Sequence, residues 1–340
     1  MQEVGDLPAG PPEWRVWLAL WTVYIVWGST YLGIRVVVET MPPLISGGAR
    51  FSCAGLLVYA FLFLRHGRER VRLSLRETAG ASAVGACLVL GGNGTASLAE
   101  QTVPSNFAAL IYASIPLWIV LLRAFSGDRP PKPTLIGVAV GYLGLAVLLL
   151  PSGRPSDVGL VWALALCAGA LAWAIGSFYS RRLPLPDDAA LATAATTICG
   201  GAIALTVGFV VGEGSQIDVG EVSTRSLLGF LYLILIGSVV GFSAYIWLLK
   251  KAPISKVATY AYVNPVVALF LGWLILSEDI RPSSLIGAAV IVASVAFVVT
   301  RESADVAGGE GNVAPPSRER APASAKVRIG GPPVEDSTRD

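Results

Sequence analysis

The stretch "TYAYVNPVVALFLGWLILSED" at residues 259–279 poses the central question of this sequence. It is apolar over about 20 residues, the length that a helix needs to cross the hydrocarbon core of a membrane. Asn264 and Pro265 nevertheless lie near its middle. Proline lacks a backbone donor and clashes with the carbonyl one turn earlier, so it exposes that carbonyl inside the bilayer. Such a carbonyl is tolerated only where it is buried in protein or lines a water-filled cavity.

The rest of the chain has the composition of a membrane protein. Of its 340 residues, 54% are hydrophobic and only 14% are charged, whereas soluble domains carry about 25% charged residues. Unbroken apolar runs without period-two alternation predict helices rather than a barrel. The runs lie at residues 16–34, 44–64, 78–98, 106–122, 134–150, 158–179, 189–211, 227–249, 257–276 and 283–299. We therefore predict an all-α membrane protein with ten transmembrane helices.

The distribution of basic residues predicts the orientation. If both termini are cytoplasmic, fifteen Lys and Arg residues lie on the inner side and four, Arg35, Arg154, Arg225 and Arg281, on the outer side. Positive charge is retained on the cytoplasmic side, so this bias predicts a multi-pass protein of the cytoplasmic membrane with both termini inside. The cluster between Arg65 and Arg76 lies between two spans without interleaved aromatic residues, which favours a topology anchor over a nucleic-acid contact.

Two proline-bounded segments indicate an internal repeat. "PSNFAALIYASIP" (104–116) and "PISKVATYAYVNP" (253–265) begin and end with proline at the same spacing. About a dozen residues after each come Asp128 and Glu278, and then the similar sequences "LIGVAV" and "LIGAAV". A weaker similarity links "GSTY" (28–31) with "GSFY" (176–179), near Trp27 and Trp173 respectively.

The repeat divides the chain into two halves, residues 14–151 and 157–300, with five predicted helices each. Residues 1–13 form a short cytoplasmic N-terminus, and residues 302–340 are too polar to bury apolar surface and form a disordered cytoplasmic tail. Because five is odd, the second half inserts upside down. Inverted repeats are a common architecture of secondary transporters, and interrupted segments at matching positions in the two halves point to the binding site. Pro116 and Pro265 are such a pair, although each proline alone is also compatible with a packing kink.

Few polar or aromatic groups within the spans can contact a solute. Asn93 and Asn264 are candidate hydrogen-bonding groups and the tyrosines candidate walls, although a tyrosine that only bonds a neighbouring helix, for about 1 kcal/mol, is the alternative for each. We expect the cavity to be lined by helices one, two, three, four, six and nine. The candidate residues are Trp27, Ser29, Tyr31, Arg50, Asn93, Tyr112, Pro116, Tyr179, Tyr260, Tyr262, Asn264 and Pro265.

Two charged residues allow two interpretations each. Arg50 lies about a third of the way into the second apolar run, where its guanidinium can hold a carboxylate or phosphate, or can snorkel or bond carbonyls at a helix end. Glu100 lies where the third run meets a short outer loop. It is either a titrating site for a coupling proton or a solvated loop acid, and its loop position favours the solvated acid.

Catalytic signatures are absent from the sequence. The single histidine, His66, lies in the basic loop, and no phosphate-binding loop or metal-ligand cluster is present. We therefore expect no enzyme activity, no metal and no cofactor. A membrane enzyme acting on lipid-linked substrates, or a sensor or scaffold that does not transport, are the alternatives to a transporter.

Four segments together resemble the EamA family of the drug/metabolite transporter superfamily. They are "YIVWGSTYLGIR", "PPLISGGARF", "GGNGTASLAEQTVPSNFAALIYASIPLW" and "SKVATYAYVNPVVALFLG", and the resemblance extends over about residues 14–300. It implies ten helices in two inverted five-helix repeats and an exporter or permease for small metabolites in the bacterial inner membrane. It also places Arg50, Asn93, Pro116, Asn264 and Pro265 at positions typical of the family. Asp128 stands where the family's repeat usually has Glu. The partners that it implies are a small solute, amino acids or amphipathic compounds among them, and the lipid bilayer; it does not specify whether the chain forms a homodimer.

Overall fold

The computed structural model describes residues 12–127, 130–149, 158–257, 259–280 and 282–310. Within these ranges the chain is helical and contains no strand, which confirms the prediction of an all-α protein. The principal helices are α1 Glu13–Val37, α2 Pro43–His66, α3 Leu75–Ala99, α4 Ser105–Phe125, α5 Lys132–Leu149, α6 Leu160–Tyr179, α7 Ala189–Val210, α8 Thr224–Lys251, α9 Tyr260–Leu276 and α10 Pro282–Glu310.

Seven of these helices, α1 to α4 and α6 to α8, are long and apolar enough to cross a membrane. The apolar parts of α5, α9 and α10 are shorter, at Lys132–Val147, Val263–Leu276 and Leu285–Val298. The structure thus describes a multi-pass bundle, while the number of ten crossings stays a prediction. Helix α10 continues to Glu310, beyond residue 302 where the predicted tail begins; residues 311–340 lie outside the described part of the chain.

Helices α2, α3 and α7 approach one another closely because glycines face each other. A Cβ added to Gly48 of α2 would lie 2.6 Å from the Leu205 nitrogen and 2.8 Å from the Gly201 oxygen of α7. A Cβ on Gly85 of α3 would lie 2.5 Å from the Thr196 oxygen. Small residues at such interfaces let helix backbones touch, which is how membrane helices gain packing energy without a hydrophobic driving force. This packing fixes the segment of α2 that carries Arg50.

Two carboxylates from the second half of the chain accept hydrogen bonds from the N-termini of helices in the first half. Glu213 accepts hydrogen bonds from the backbone nitrogens of Leu44 and Ile45 at the start of α2, both at 2.9 Å. Glu278 accepts from the nitrogens of Ser105 at 2.8 Å and Asn106 at 3.1 Å at the start of α4. The first turn of a helix has unpaired N–H groups and a partial positive charge, so a carboxylate is stabilising there.

Three of the long helices are irregular in their interior. Helix α4 is interrupted between Tyr112 and Ile115, and Pro116 follows in the first turn of its second part. Helices α3 and α8 each contain a π-helical segment, Ala86–Gly94 and Leu233–Phe242. The predicted interruption at Pro265 is wrong, because α9 is continuous from Tyr260 to Leu276 with Pro265 inside it. The chain leaves regular geometry before Tyr260 instead, after a short helix at Ile254–Val257.

Candidate functional site

A cavity lined by aromatic, aliphatic and a few polar side chains lies in the interior of the bundle, between residues of both halves. Its volume is about 40 Å³, which is room for roughly three water molecules. Seven predicted site residues line it: Trp27, Tyr31, Arg50, Asn93, Tyr112, Tyr260 and Asn264. The lining comes from α1, α2, α3, α4, α6, α8 and α9, so the structure adds α8 to the helices expected from the sequence. A metabolite fits only if the surrounding side chains or helices move apart.

Aromatic rings form one wall of the cavity. Trp27 of α1 and Trp173 of α6 meet edge to face, with ring centroids 5.3 Å apart. Tyr245 of α8 and Tyr260 of α9 lie 4.6 and 5.4 Å from Trp27. Edge-to-face pairs contribute about 0.5–1.5 kcal/mol beyond their buried area. The two tryptophans near the similar "GSTY" and "GSFY" segments are therefore in direct contact at the centre of the protein.

The two π-helical segments supply backbone carbonyls to the aromatic residues. Tyr112 donates its hydroxyl to the Gly92 oxygen at 2.7 Å, and Trp27 donates its ring N–H to the Gly237 oxygen at 3.3 Å. Glycine is needed at these approaches: a Cβ on Gly92 would lie 2.5 Å from Trp173, and one on Gly241 would lie 2.8 Å from Trp27. Short π-helical segments occur often at functional sites. The matching irregular backbone of the two halves is therefore this pair of π-helical segments, in the third helix of each half, and not the pair of prolines.

Arg50 points into the cavity and does not snorkel. Its side chain is only 4% exposed, and its Nε donates to the Ser238 hydroxyl at 2.8 Å. The guanidinium lies over the Phe51 ring at 4.6 Å. Among the described residues, no carboxylate lies within the 4.0 Å of an ion pair with Arg50. Since a guanidinium has five N–H donors, the bond to Ser238 leaves donors available for an anion.

Asn264 joins α9 to α1 beside the aromatic wall. With its amide nitrogen placed toward two facing carbonyls, it donates to the Tyr24 oxygen at 3.1 Å and to the Tyr260 oxygen at 3.2 Å. Its amide oxygen is then left as an acceptor. Asn93 donates to the Leu88 oxygen, five residues earlier, at 3.4 Å, a partner that the wider π-helical turn brings within reach.

Four predicted residues do not line the cavity. Ser29 bonds the Val26 oxygen at 2.7 Å and the Tyr232 hydroxyl at 2.5 Å, which directs it toward α8. Tyr179 is 40% exposed at the end of α6, against Phe178. Pro116 and Pro265 are buried beside the lining but not in it. The side chain of Tyr262 lies outside the described part of the structure.

Sequence reasoning missed several lining residues, namely Thr30, Ile34, Phe51, Ala96, Ile115, Trp173 and Phe242. Most are apolar and have no signature of their own. A usable signal was present in "LGGNG" (90–94) and "IGSVVG" (236–241), the glycine-rich cores of the two π-helical segments.

Glu100 is not a solvated loop acid. Its side chain is fully buried at the end of α3, and its backbone oxygen accepts a hydrogen bond from the Arg35 guanidinium. The short loop after α3 packs against α1 through this bond, which the loop position in the sequence could not reveal.

A helical multi-pass bundle with a cavity between its two halves is an arrangement typical of membrane solute transporters. The profile of the EamA-like transporter family matches residues 14–150 and again residues 160–300. The chain belongs to the EamA-like transporter family, and it is assigned to transport and not to catalysis.

Curated relatives agree with this family assignment. The uncharacterized inner membrane transporter YedA of Escherichia coli (strain K12) is 36% identical over 284 residues, covering 82% of this chain and 89% of the relative. A probable amino-acid metabolite efflux pump of the same strain is 25% identical over 286 residues, with 79% and 90% covered. One crystal structure with 20% sequence identity aligns with a TM-score of 0.62 over 87% of this chain and 99% of the other, which shows a shared fold.

Proposed function

We propose that the protein is a secondary transporter or exporter of small metabolites across the cytoplasmic membrane. The observation that carries this proposal is the buried guanidinium of Arg50 in an aromatic cavity between the two halves. An Arg inside a membrane is costly and is kept where it serves a substrate pathway or a partner. Aromatic walls with a cationic group fit a small solute that has both a carboxylate and an apolar part, an amino acid or an amphipathic acid.

Movement by alternating access is the mechanism we propose. It requires ten crossings arranged as two inverted five-helix units, with the second upside down and both termini in the cytoplasm. Two similar units inserted oppositely have similar energies in two arrangements, one open inward and one open outward. The small volume of the cavity supports this view, because a narrow site is expected between those arrangements.

The test is uptake and efflux of a labelled metabolite panel in proteoliposomes, with and without a pH gradient. We expect transport of at least one carboxylate-bearing solute, and a loss of about tenfold or more in Arg50→Gln, because a charge-assisted hydrogen bond contributes about 1.5–3 kcal/mol. Exposed Arg225, in the first turn of α8, changed to Gln, serves as the matched control. If no solute moves under any gradient although one binds, the sensor alternative replaces transport.

A further inference from the structure

Glu100 is a buried acid whose carboxylate accepts no hydrogen bond from the described part of the chain. It is the residue that follows α3 (Leu75–Ala99), and its side chain is 0% exposed. Neither of its carboxylate oxygens has a hydrogen-bond partner among the described residues. An ionised carboxylate in such a place is costly unless it is paired, whereas the neutral acid is tolerated. The ligand that this arrangement indicates is a proton.

The ionisable groups that act on Glu100 come from α1, α2, α4 and the segment after α9. They are Tyr31, Arg35, Arg50, Tyr112 and Glu278. Burial raises the pKa of Glu100 well above its ordinary value, and the nearby Glu278 carboxylate raises it further. Arg35 and Arg50 act in the opposite direction and favour the ionised form. The charge of Glu100 therefore depends on how fully these two arginines are neutralised.

Of the two neighbouring acids, Glu100 is the one free to take a proton. Glu278 is held at the start of α4 by the nitrogens of Ser105 and Asn106 and by the Ser105 hydroxyl at 2.9 Å. Donors of this kind occupy both oxygens of the Glu278 carboxylate. In contrast, neither oxygen of the Glu100 carboxylate has a hydrogen-bond partner among the described residues.

We propose that Glu100 is a proton-binding site, and that a proton at Glu100 and an anion at Arg50 favour each other's binding. An anion on Arg50 cancels the positive charge that otherwise favours ionised Glu100. By linkage, the proton on Glu100 strengthens anion binding by the same factor. The second part rests on the proposed function and identifies the coupling ion of this site as the proton.

The proton site is tested on purified protein in lipid, by infrared titration of the carbonyl band of protonated carboxyl groups. At neutral pH we expect this band to lose intensity in Glu100→Gln, and Glu221→Gln, in an exposed outer loop, to match the wild type. Identical wild-type and Glu100→Gln spectra at neutral pH, with Glu100 titrating near the ordinary value of about 4.3, would overturn the proposal.

The coupling is tested by changing the neighbours of Glu100 and following its titration midpoint. Arg50→Gln removes a cation and should raise the midpoint by on the order of one pH unit. Glu278→Gln removes an anion and should lower it, which provides a second variant if Arg50→Gln does not fold. A midpoint that stays unchanged in a folded variant would refute the coupling.

The titration uses no solute, so its outcome is independent of the uptake assay. A failed uptake assay would remove the proposed function and leave the proton site standing. A failed titration would remove the proton site and leave the proposed function standing.

Discussion

Substitution of two adjacent glycines in α2 should have opposite effects on stability. Gly48 faces α7, where a new Cβ would lie 2.6 Å from the Leu205 nitrogen and 2.8 Å from the Gly201 oxygen. Gly47 faces a wider space, where a new Cβ would find only the Ser97 hydroxyl, at 3.9 Å. Both are glycines within one helix, so Gly47→Ala and Gly48→Ala change the chain chemistry identically and differ only in what the methyl group meets.

The change in stability depends on the kind of atom that the new methyl group contacts. Two of the three close neighbours of Gly48 are backbone atoms, which cannot rotate away, so α2 and α7 must separate by about 0.8 Å to restore an ordinary contact of 3.4 Å with the nearest of them. Overpacking of this kind costs about 1–3 kcal/mol. At Gly47 the same change gains up to about 1 kcal/mol, because alanine loses less entropy in a helix than glycine does. The displacement in Gly48→Ala also moves Arg50, half a turn further along α2.

The assay is thermal stability of the purified protein in detergent, from the fraction that remains monodisperse after heating. We expect Gly48→Ala to melt several degrees below wild type and Gly47→Ala to melt at or above it. Equal midpoints for the two variants would refute the conclusion that backbone contact between α2 and α7 sets the position of the cavity residues. A variant Gly201→Ala, whose Cβ would lie 2.6 Å from the Ser52 nitrogen, should behave like Gly48→Ala.

Four further outcomes are expected. Glu213→Ala should lower stability by about 1–2 kcal/mol in the same heating assay, because the Leu44 and Ile45 nitrogens lose their acceptor, whereas exposed Glu221→Ala should not. Tyr112→Phe should cost about 1 kcal/mol through loss of the bond to the Gly92 oxygen; no change would mean that this bond is not formed in the membrane. Asn264→Ala and Asn264→Asp should each reduce transport in proteoliposomes by about tenfold, since both remove the donors to Tyr24 and Tyr260; unchanged kinetics in both would remove Asn264 from the site. Cysteines placed at Asp128 and Asp279 in a cysteine-free background should react with a membrane-impermeant thiol reagent from opposite sides, and labelling from the same side would contradict the inverted repeat.

The sequence was sufficient for the class of fold because lipid imposes strict limits on composition. The seven long helices lie within a few residues of the predicted apolar runs, since charged residues such as Arg65 and Arg123 mark their ends. The cavity could be predicted in part for the same reason. Polar groups such as Arg50, Asn93 and Asn264 are rare inside spans, and a bundle has few places to put them other than its interior.

The parts that could not be predicted depend on contacts between distant segments. Nothing local in the sequence distinguishes Ser29, which faces Tyr232, from Tyr31 two residues later, which faces the cavity. A helix turns by about 100° per residue, so these two side chains lie on nearly opposite faces of α1, and the packing of α1 against distant helices decides which face meets the cavity. The burial of Glu100 has the same origin, because it depends on how the short loop after α3 packs against Arg35 of α1.

Proline marks irregular backbone in α4, which is interrupted just before Pro116, but not in α9. Pro265 removes the donor to the Ala261 carbonyl, yet α9 continues through it from Tyr260 to Leu276. The π-helical segments in α3 and α8 arise differently: glycines at positions 92 and 241 leave room for Trp173 and Trp27, and a turn widened by one residue brings each tryptophan against the backbone. Each of these glycines leaves a space beside the backbone. In both cases the tryptophan ring that fills this space belongs to the other half of the chain. The signal therefore lies in the pairing of a glycine-rich segment with a distant tryptophan, and only a comparison of the two halves of the sequence together can detect it.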